Sequence, residues 1–92
     1  MVKVYKNVCI TGAGNGIGRA IAIAMSNEGY NVVCADIDLK QAKDTLDFIL
    51  NKRGSGIAVE TDVTKAFDIK NMINSTVDEF GSLDILVNNA GV

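Results

Sequence analysis

Four short apolar runs alternate with three helix-length stretches of spaced apolar residues, and this alternation limits the folds open to the chain more than any other feature. Val4 to Thr11 holds the run Val8-Cys9-Ile10 and stops at Gly12, which reads as a strand buried on both faces. From Ile17 the spacing Ile17, Ala20, Ile21, Ala24, Met25 is a helical stripe, with Gly29 just past Glu28 as its left-handed stop. Asn31 to Asp36 is a second strand. Asp38, with Gln41 three residues on, reads as an N-cap and capping box; Leu39, Ala42, Leu46, Ile49 and Leu50 then give a second stripe, ended by Lys52, Arg53 and Gly54. Gly56 to Glu60 is the third strand. Thr64 is the expected cap of a third helix whose Ile69, Ile73, Val77 and Phe80 share a face before Gly81 stops it. Asp84 to Val87 is the fourth strand. Short connections in this order require parallel strands with right-handed crossovers, so the expected fold is α/β, a doubly wound parallel sheet in the order β-α-β-α-β-α-β.

A chain of 92 residues holds one domain at most, too small for a catalytic domain beside a cofactor domain. Its 48% hydrophobic and 22% charged residues are those of a chain that folds. A net charge of −2 and a pI near 4.8 argue against nucleic acid or a membrane surface as partner and leave a small molecule. The absence of His removes imidazole-based triads and His-bearing zinc sites. Cys9 and Cys34 lie inside apolar runs and read as buried core thiols in a reducing compartment. The longest unbroken apolar run, Ala20 to Met25, is far short of a membrane span, and Met1 to Lys6 is no signal peptide, so a cytoplasmic location is expected.

Gly12, Gly14, Gly16 and Gly18 crowd the turn between the first strand and first helix, where backbone N–H groups and the helix dipole can receive a pyrophosphate. Ile17 stands where G-x-G-x-x-G needs its third glycine, and the Gly-Lys pair of a P-loop is absent. What is written is Thr-Gly-x-x-x-Gly-x-Gly. Together with Asp36 about 20 residues on, Asp62-Val63 after the third strand and Asn88-Asn89-Ala90-Gly91 after the fourth, it resembles the short-chain dehydrogenase/reductase family. Those proteins are nicotinamide-dependent oxidoreductases on a Rossmann fold, and the resemblance spans essentially the whole chain.

The resemblance implies close approach of a pyrophosphate at Gly12 and Gly16 and close helix packing at Gly18. It implies ribose hydroxyls on Asp36, adenine on the Asp62 carboxylate and the Val63 N–H, and Asn88, Ala90 and Gly91 bordering the cofactor. Asn15 and Ile37 occupy the positions where members preferring NADP often carry a base, and Asp36 would repel a 2′-phosphate, so NAD is expected over NADP. A turn or capping role is the alternative for Asp36, although Asp38 offers itself as the cap. Arg19 could reach a phosphate or simply be solvated. Thr11 is implied to bond toward Asn88 as scaffold.

Family chemistry uses a Ser and a Tyr-x-x-x-Lys beyond the central motif. Here the Tyr residues are Tyr5 and Tyr30, followed four positions on by Cys9 and Cys34, so no catalytic residue is assigned. The expectation is therefore the NAD-binding N-terminal part of an oxidoreductase for an alcohol or carbonyl; the alternative is a non-catalytic dinucleotide-binding or interaction module complete at 92 residues. An open sheet edge and a half-covered face predict self-association or marginal stability if the 92 residues exist alone.

Overall fold

The computed structural model describes residues 6–90. β1 (Asn7–Thr11), α1 (Gly16–Asn27), β2 (Asn31–Asp36), α2 (Leu39–Asn51), β3 (Ser55–Glu60), α3 (Ala66–Phe80) and β4 (Ile85–Val87) follow one another as the sequence predicts. The strands form one sheet in the order β3-β2-β1-β4, with every neighbouring pair parallel. β1 is central and buried throughout, which is why its apolar run is unbroken rather than alternating.

The two faces of the sheet carry separate cores. Val8 and Ile10 of β1 and Val32 and Cys34 of β2 pack with Ala22 of α1 and with Ala42 and Ile49 of α2. On the other face Cys9, Val33 and Ala35 meet Met72 of α3, with Ile69, Phe80 and Leu83 around them. Helices one and two thus share one face and helix three has the other. Each fully buried aliphatic side chain contributes about 1.5–3 kcal/mol.

Among the described residues the first strand begins at Asn7, with Lys6 before it; Val4 and Tyr5, where the predicted strand starts, lie outside the described residues. The helical stripes need a larger correction. α1 buries Gly18 and Ala22 and exposes Ile17, Ala20 and Ala24, because a Cβ at Gly18 would overlap the carbonyl oxygen of Gly12 and only small residues fit so close a contact. α2 buries Ala42, Thr45 and Ile49 and leaves Leu50 exposed. α3 buries Met72 and Thr76 instead of the predicted Ile73 and Val77, and the Thr76 hydroxyl donates to Met72 O at 2.8 Å, which satisfies it in the core.

Gly29 and Gly81 have φ of +94° and +91°, the left-handed stops the sequence predicts. At the end of α2 the left-handed residue is Arg53, not Gly54; Gly54 is required for space, since a Cβ there would meet Ser26 Oγ and Ile49. Thr64 does not cap α3, whose N-cap position is Lys65. Its hydroxyl turns back to Asp62 Oδ1 at 2.6 Å.

Candidate cofactor site at the carboxyl ends of the strands

The parallel sheet brings the ends of β1, β2, β3 and β4 to one rim, and a cleft of about 170 Å³ opens there. Gly12, Asp36, Ile37, Asp62, Val63 and Ala90 line it, so residues predicted from four separate segments meet in one place. Thr61, not singled out in the sequence, and Thr64, expected there only as a helix cap, complete the lining. The volume suits one end of an extended ligand rather than a whole drug-sized molecule. Ile37 is 67% exposed at the mouth, an apolar surface beside two carboxylates.

Beside the cleft stands the start of α1. Asn15, in the N-cap position, is extended with φ of −154° and makes no side-chain cap bond, and the first turn of α1 holds no acidic residue. α2 differs, being capped by Asp38, whose carboxylate accepts from Gln41 N at 3.2 Å; α3 carries Asp68 in its first turn. Among the described helices α1 alone therefore presents an uncompensated positive end, where an anion is favoured. Gly16 has φ of +55° and nothing within 4 Å of where a Cβ would stand, so its backbone is both conformationally tied to glycine and open to a ligand. Asn15 and Ile17 flank it, exposed; Gly18 is buried beneath.

Asp36 does more than the sequence suggested. Asp38 is the cap as predicted, yet Asp36 is not free of the backbone: its Oδ2 accepts from Gly14 N and its Oδ1 from Asp38 N, each at 2.9 Å. The second bond takes the N–H that the Gln41 side chain would receive in a full capping box, so only half of that box is built. Asp62 accepts from both the N–H and the hydroxyl of Thr64, at 2.9 and 2.6 Å on Oδ1, and these bonds hold its carboxyl below the usual carboxylate range.

Thr11 is the pin beneath the site. Its hydroxyl donates toward Asn88 Oδ1 at 3.3 Å and accepts from Asn89 N and Ala90 N at 3.0 Å each, fixing the turn after β4 against β1. Asn88 itself is exposed above it. Asn89, which the sequence reading left without a role, packs against the glycine turn: its Nδ2 would lie 2.9 Å from a Cβ at Gly12 and 2.6 Å from one at Gly18. At Gly12, then, the close neighbour that needs a glycine is the chain's own Asn89-Ala90 turn. Gly91 lies outside the described residues.

Arg19 is drawn away from the rim. Its Nη1 donates to Thr45 Oγ1 at 3.1 Å and its guanidinium sits 5.6 Å from the Phe48 ring centroid, joining α1 to α2. Cys9 and Cys34 are buried free thiols, pushed up from 9.0 to about 12 by desolvation. Among the described residues no cluster of His, Cys, Asp and Glu could hold a metal ion, and no helix is long and apolar enough to cross a membrane.

Comparison with known proteins agrees with this geometry. The short chain dehydrogenase family matches residues 6–92. The 3-oxoacyl-(acyl-carrier-protein) reductase FabG of Staphylococcus aureus is 41% identical over 92 residues, 99% of this chain and 37% of that protein. An uncharacterized oxidoreductase of Thermotoga maritima is 41% identical over 87 residues, 95% of this chain and 34% of its own length. Among solved structures, a hydroxysteroid dehydrogenase from Escherichia coli superposes with a TM-score of 0.92 at 38% identity, covering 95% of this chain and 37% of that one. A 7α-hydroxysteroid dehydrogenase complexed with NADH and 7-oxo glycochenodeoxycholic acid gives the same TM-score and identity over 95% and 34%. The chain thus spans little more than a third of the relatives it matches. It belongs to the short-chain dehydrogenase family.

Proposed function

We propose that the chain binds NAD, in preference to NADP, as the cofactor-binding part of an oxidoreductase that interconverts an alcohol and a carbonyl. The observation that carries this reading is the meeting of Asp36, Ile37, Asp62 and Val63 in one cleft beside the uncapped start of α1. The residues fit the cofactor: Gly16 leaves room for a pyrophosphate against the α1 amides, with Gly12, Asn15, Ile17 and Gly18 shaping the turn around it. Asp36 accepts ribose hydroxyls, since a carboxylate has about four acceptor sites and the backbone occupies two of them. Asp62 and the Val63 N–H receive the adenine between the apolar walls of Ile37 and Val63. Asn88 and Ala90 border the cofactor after β4, a role proposed also for Gly91, which lies outside the described residues. The nicotinamide, when bound, supplies the hydride chemistry; this chain's residues bind and orient it.

Preference for NAD is supported by charge. Two carboxylates, Asp36 and Asp62, line the cleft with no Lys or Arg among its lining residues. A 2′-phosphate would bring further negative charge beside the Asp36 carboxylate. The buried unpaired thiols fit a reducing compartment, and we assign the protein to the cytoplasm. Leu86, on the α3 face of β4 by register and 49% exposed, supports self-association along the β4 side of the sheet. The chemistry gives nucleic acid and membrane surfaces no role as partners.

Parallel calorimetric titrations with NAD and NADP test the proposal. Tighter uptake of NAD, reduced in Asp36→Ala, is the expected result. Equal or tighter binding of NADP, or an Asp36→Ala variant with unchanged NAD affinity, would overturn it.

A further inference from the structure

We propose that Gly14 is a specificity-determining residue, because its N–H, with that of Asp38, fixes the Asp36 carboxylate in place before a cofactor arrives and so rejects a 2′-phosphate. This inference rests on the reading of the cleft as an NAD site. The two N–H groups come from different parts of the fold, Gly14 from the turn after β1 and Asp38 from the cap of α2, and each meets a different oxygen of the same carboxylate at 2.9 Å. A carboxylate held by one oxygen can rotate out of the way of an incoming anion. Held by both, it stays where the ribose must come, with acceptor capacity left for hydroxyl donors. A ribose diol brings O–H donors to those sites, whereas a 2′-phosphate brings only acceptor oxygens and negative charge.

The tether also explains why position 14 is a glycine. Its φ is not in the left-handed region, so conformation does not demand glycine there. Space does. A Cβ would stand 2.6 Å from Gln41 Cβ, 2.9 Å from the Gln41 backbone carbon and 2.9 Å from Asp36 Oδ2. Backbone at the start of a helix cannot yield as a flexible side chain would, so any side chain at 14 pushes the turn off α2 and off Asp36 together. Asp38 Oδ1 in turn accepts from Gln41 N, which makes the glycine turn, Asp36 and the first turn of α2 one hydrogen-bonded unit. Gly14 is thus a positioning residue, acting on the cofactor through Asp36.

The test combines binding and exchange. Wild type and Gly14→Ala are titrated with NAD and with NADP, and amide hydrogen exchange at Gly14 and Asp38 is compared between cofactor-free wild type and Asp36→Ala. The variant is expected to lose NAD affinity by about tenfold, the scale of one hydrogen bond to a charged group, while NADP affinity changes less, so that the ratio of the two falls. The Gly14 and Asp38 amides are expected to be protected in wild type and to exchange faster in Asp36→Ala. A folded Gly14→Ala with an unchanged NAD to NADP ratio overturns the proposal, whether both affinities hold or both fall together. Should that variant not fold, exchange decides: a Gly14 amide as fast in wild type as in Asp36→Ala overturns the tether, and protection supports it. Wild type that takes up neither cofactor overturns the reading of the cleft and the specificity argument with it, an outcome distinct from NAD binding with an unchanged ratio.

Discussion

At the Asn7 end of β1 a single amide side chain gathers the neighbouring elements: Asn7 Nδ2 donates to Phe80 O, Ser82 O and Ser82 Oγ at 3.3, 3.0 and 2.9 Å, and its Oδ1 accepts from Asn31 Nδ2 at 2.9 Å. Asp84 adds its Oδ2 to the Asn7 N–H at 3.0 Å. At the Thr11 end the same strand runs into glycines, a helix without a cap and a cleft edged by carboxylates. One end of the sheet satisfies its polar groups with its own side chains, while the other keeps backbone donors and carboxylate acceptors facing outward. Among the described residues no buried side-chain nitrogen or oxygen lacks a partner. Stability and binding are thereby assigned to opposite ends of one strand, which makes the two separable by mutation.

The largest effect on stability is expected at the closed end. Asn7→Ala removes the donor shared by three acceptors and leaves polar groups at a 5% exposed site without it; about 3 kcal/mol should be lost in urea unfolding, with NAD affinity of the folded protein unchanged. A fall in affinity comparable to that at the open end would break the separation. Asp36→Ala should do the reverse, costing about 2 kcal/mol of NAD binding by calorimetry and about 1 kcal/mol of stability through the loss of its two backbone bonds. Gly16→Ala should cost about 1–2 kcal/mol of stability from its left-handed φ and lose more in binding than in folding, because the Cβ points into open space that a pyrophosphate would fill. An equal loss in both would make Gly16 merely structural.

The smallest effect sharpens the electrostatics of the rim. Asp62 is held below its ordinary range by Thr64, so its contribution to stability is present above the unfolded-state value of 3.8 and disappears as pH falls through the depressed folded value. Thr64→Ala should therefore lower stability at about pH 7, by an amount that shrinks as the pH falls below 3.8 and through the depressed folded value. Urea melts over a series of acid pH values check this, and a difference that does not shrink in acid would show that Thr64 acts otherwise. The thiols titrate in the opposite sense: with Cys9 and Cys34 raised to about 12, their share of stability is intact below 9.0 and falls as pH rises from there toward 12.

Much of this contrast was legible in the sequence. The alternation of apolar runs with helical stripes gives the sheet, its parallel sense and the distribution of helices over its faces; Gly29 and Gly81 mark two of the helix ends. Position on the rim followed from the rule that such sheets converge their ligands at the carboxyl ends of the strands. The buried helix faces differ from the apolar stripes because apolar character alone does not mark burial. Where α1 lies against the glycine turn, contact distance favours Gly18 and Ala22 over Ile17; in α2 and α3, Thr45 and Thr76 are buried by bonding their hydroxyls to main-chain carbonyls. The Gly14 half of the tether on Asp36 was invisible because that partner is the backbone N–H of a residue with no side chain to announce it, whereas the Asp38 half is the turn role the sequence left open. Asn89 was missed for a related reason, since its role is to fill the room that Gly12 and Gly18 leave.

The most direct measurement is a heteronuclear NMR titration of the protein with NAD, followed at both ends of β1. Shifts concentrated in residues 12–18, 36–37, 61–64 and 88–90, with Asn7, Asn31, Ser82 and Asp84 unmoved, are the expected result. Shifts centred on the Asn7 end, or none at saturating NAD, would contradict the assignment of binding to the glycine rim.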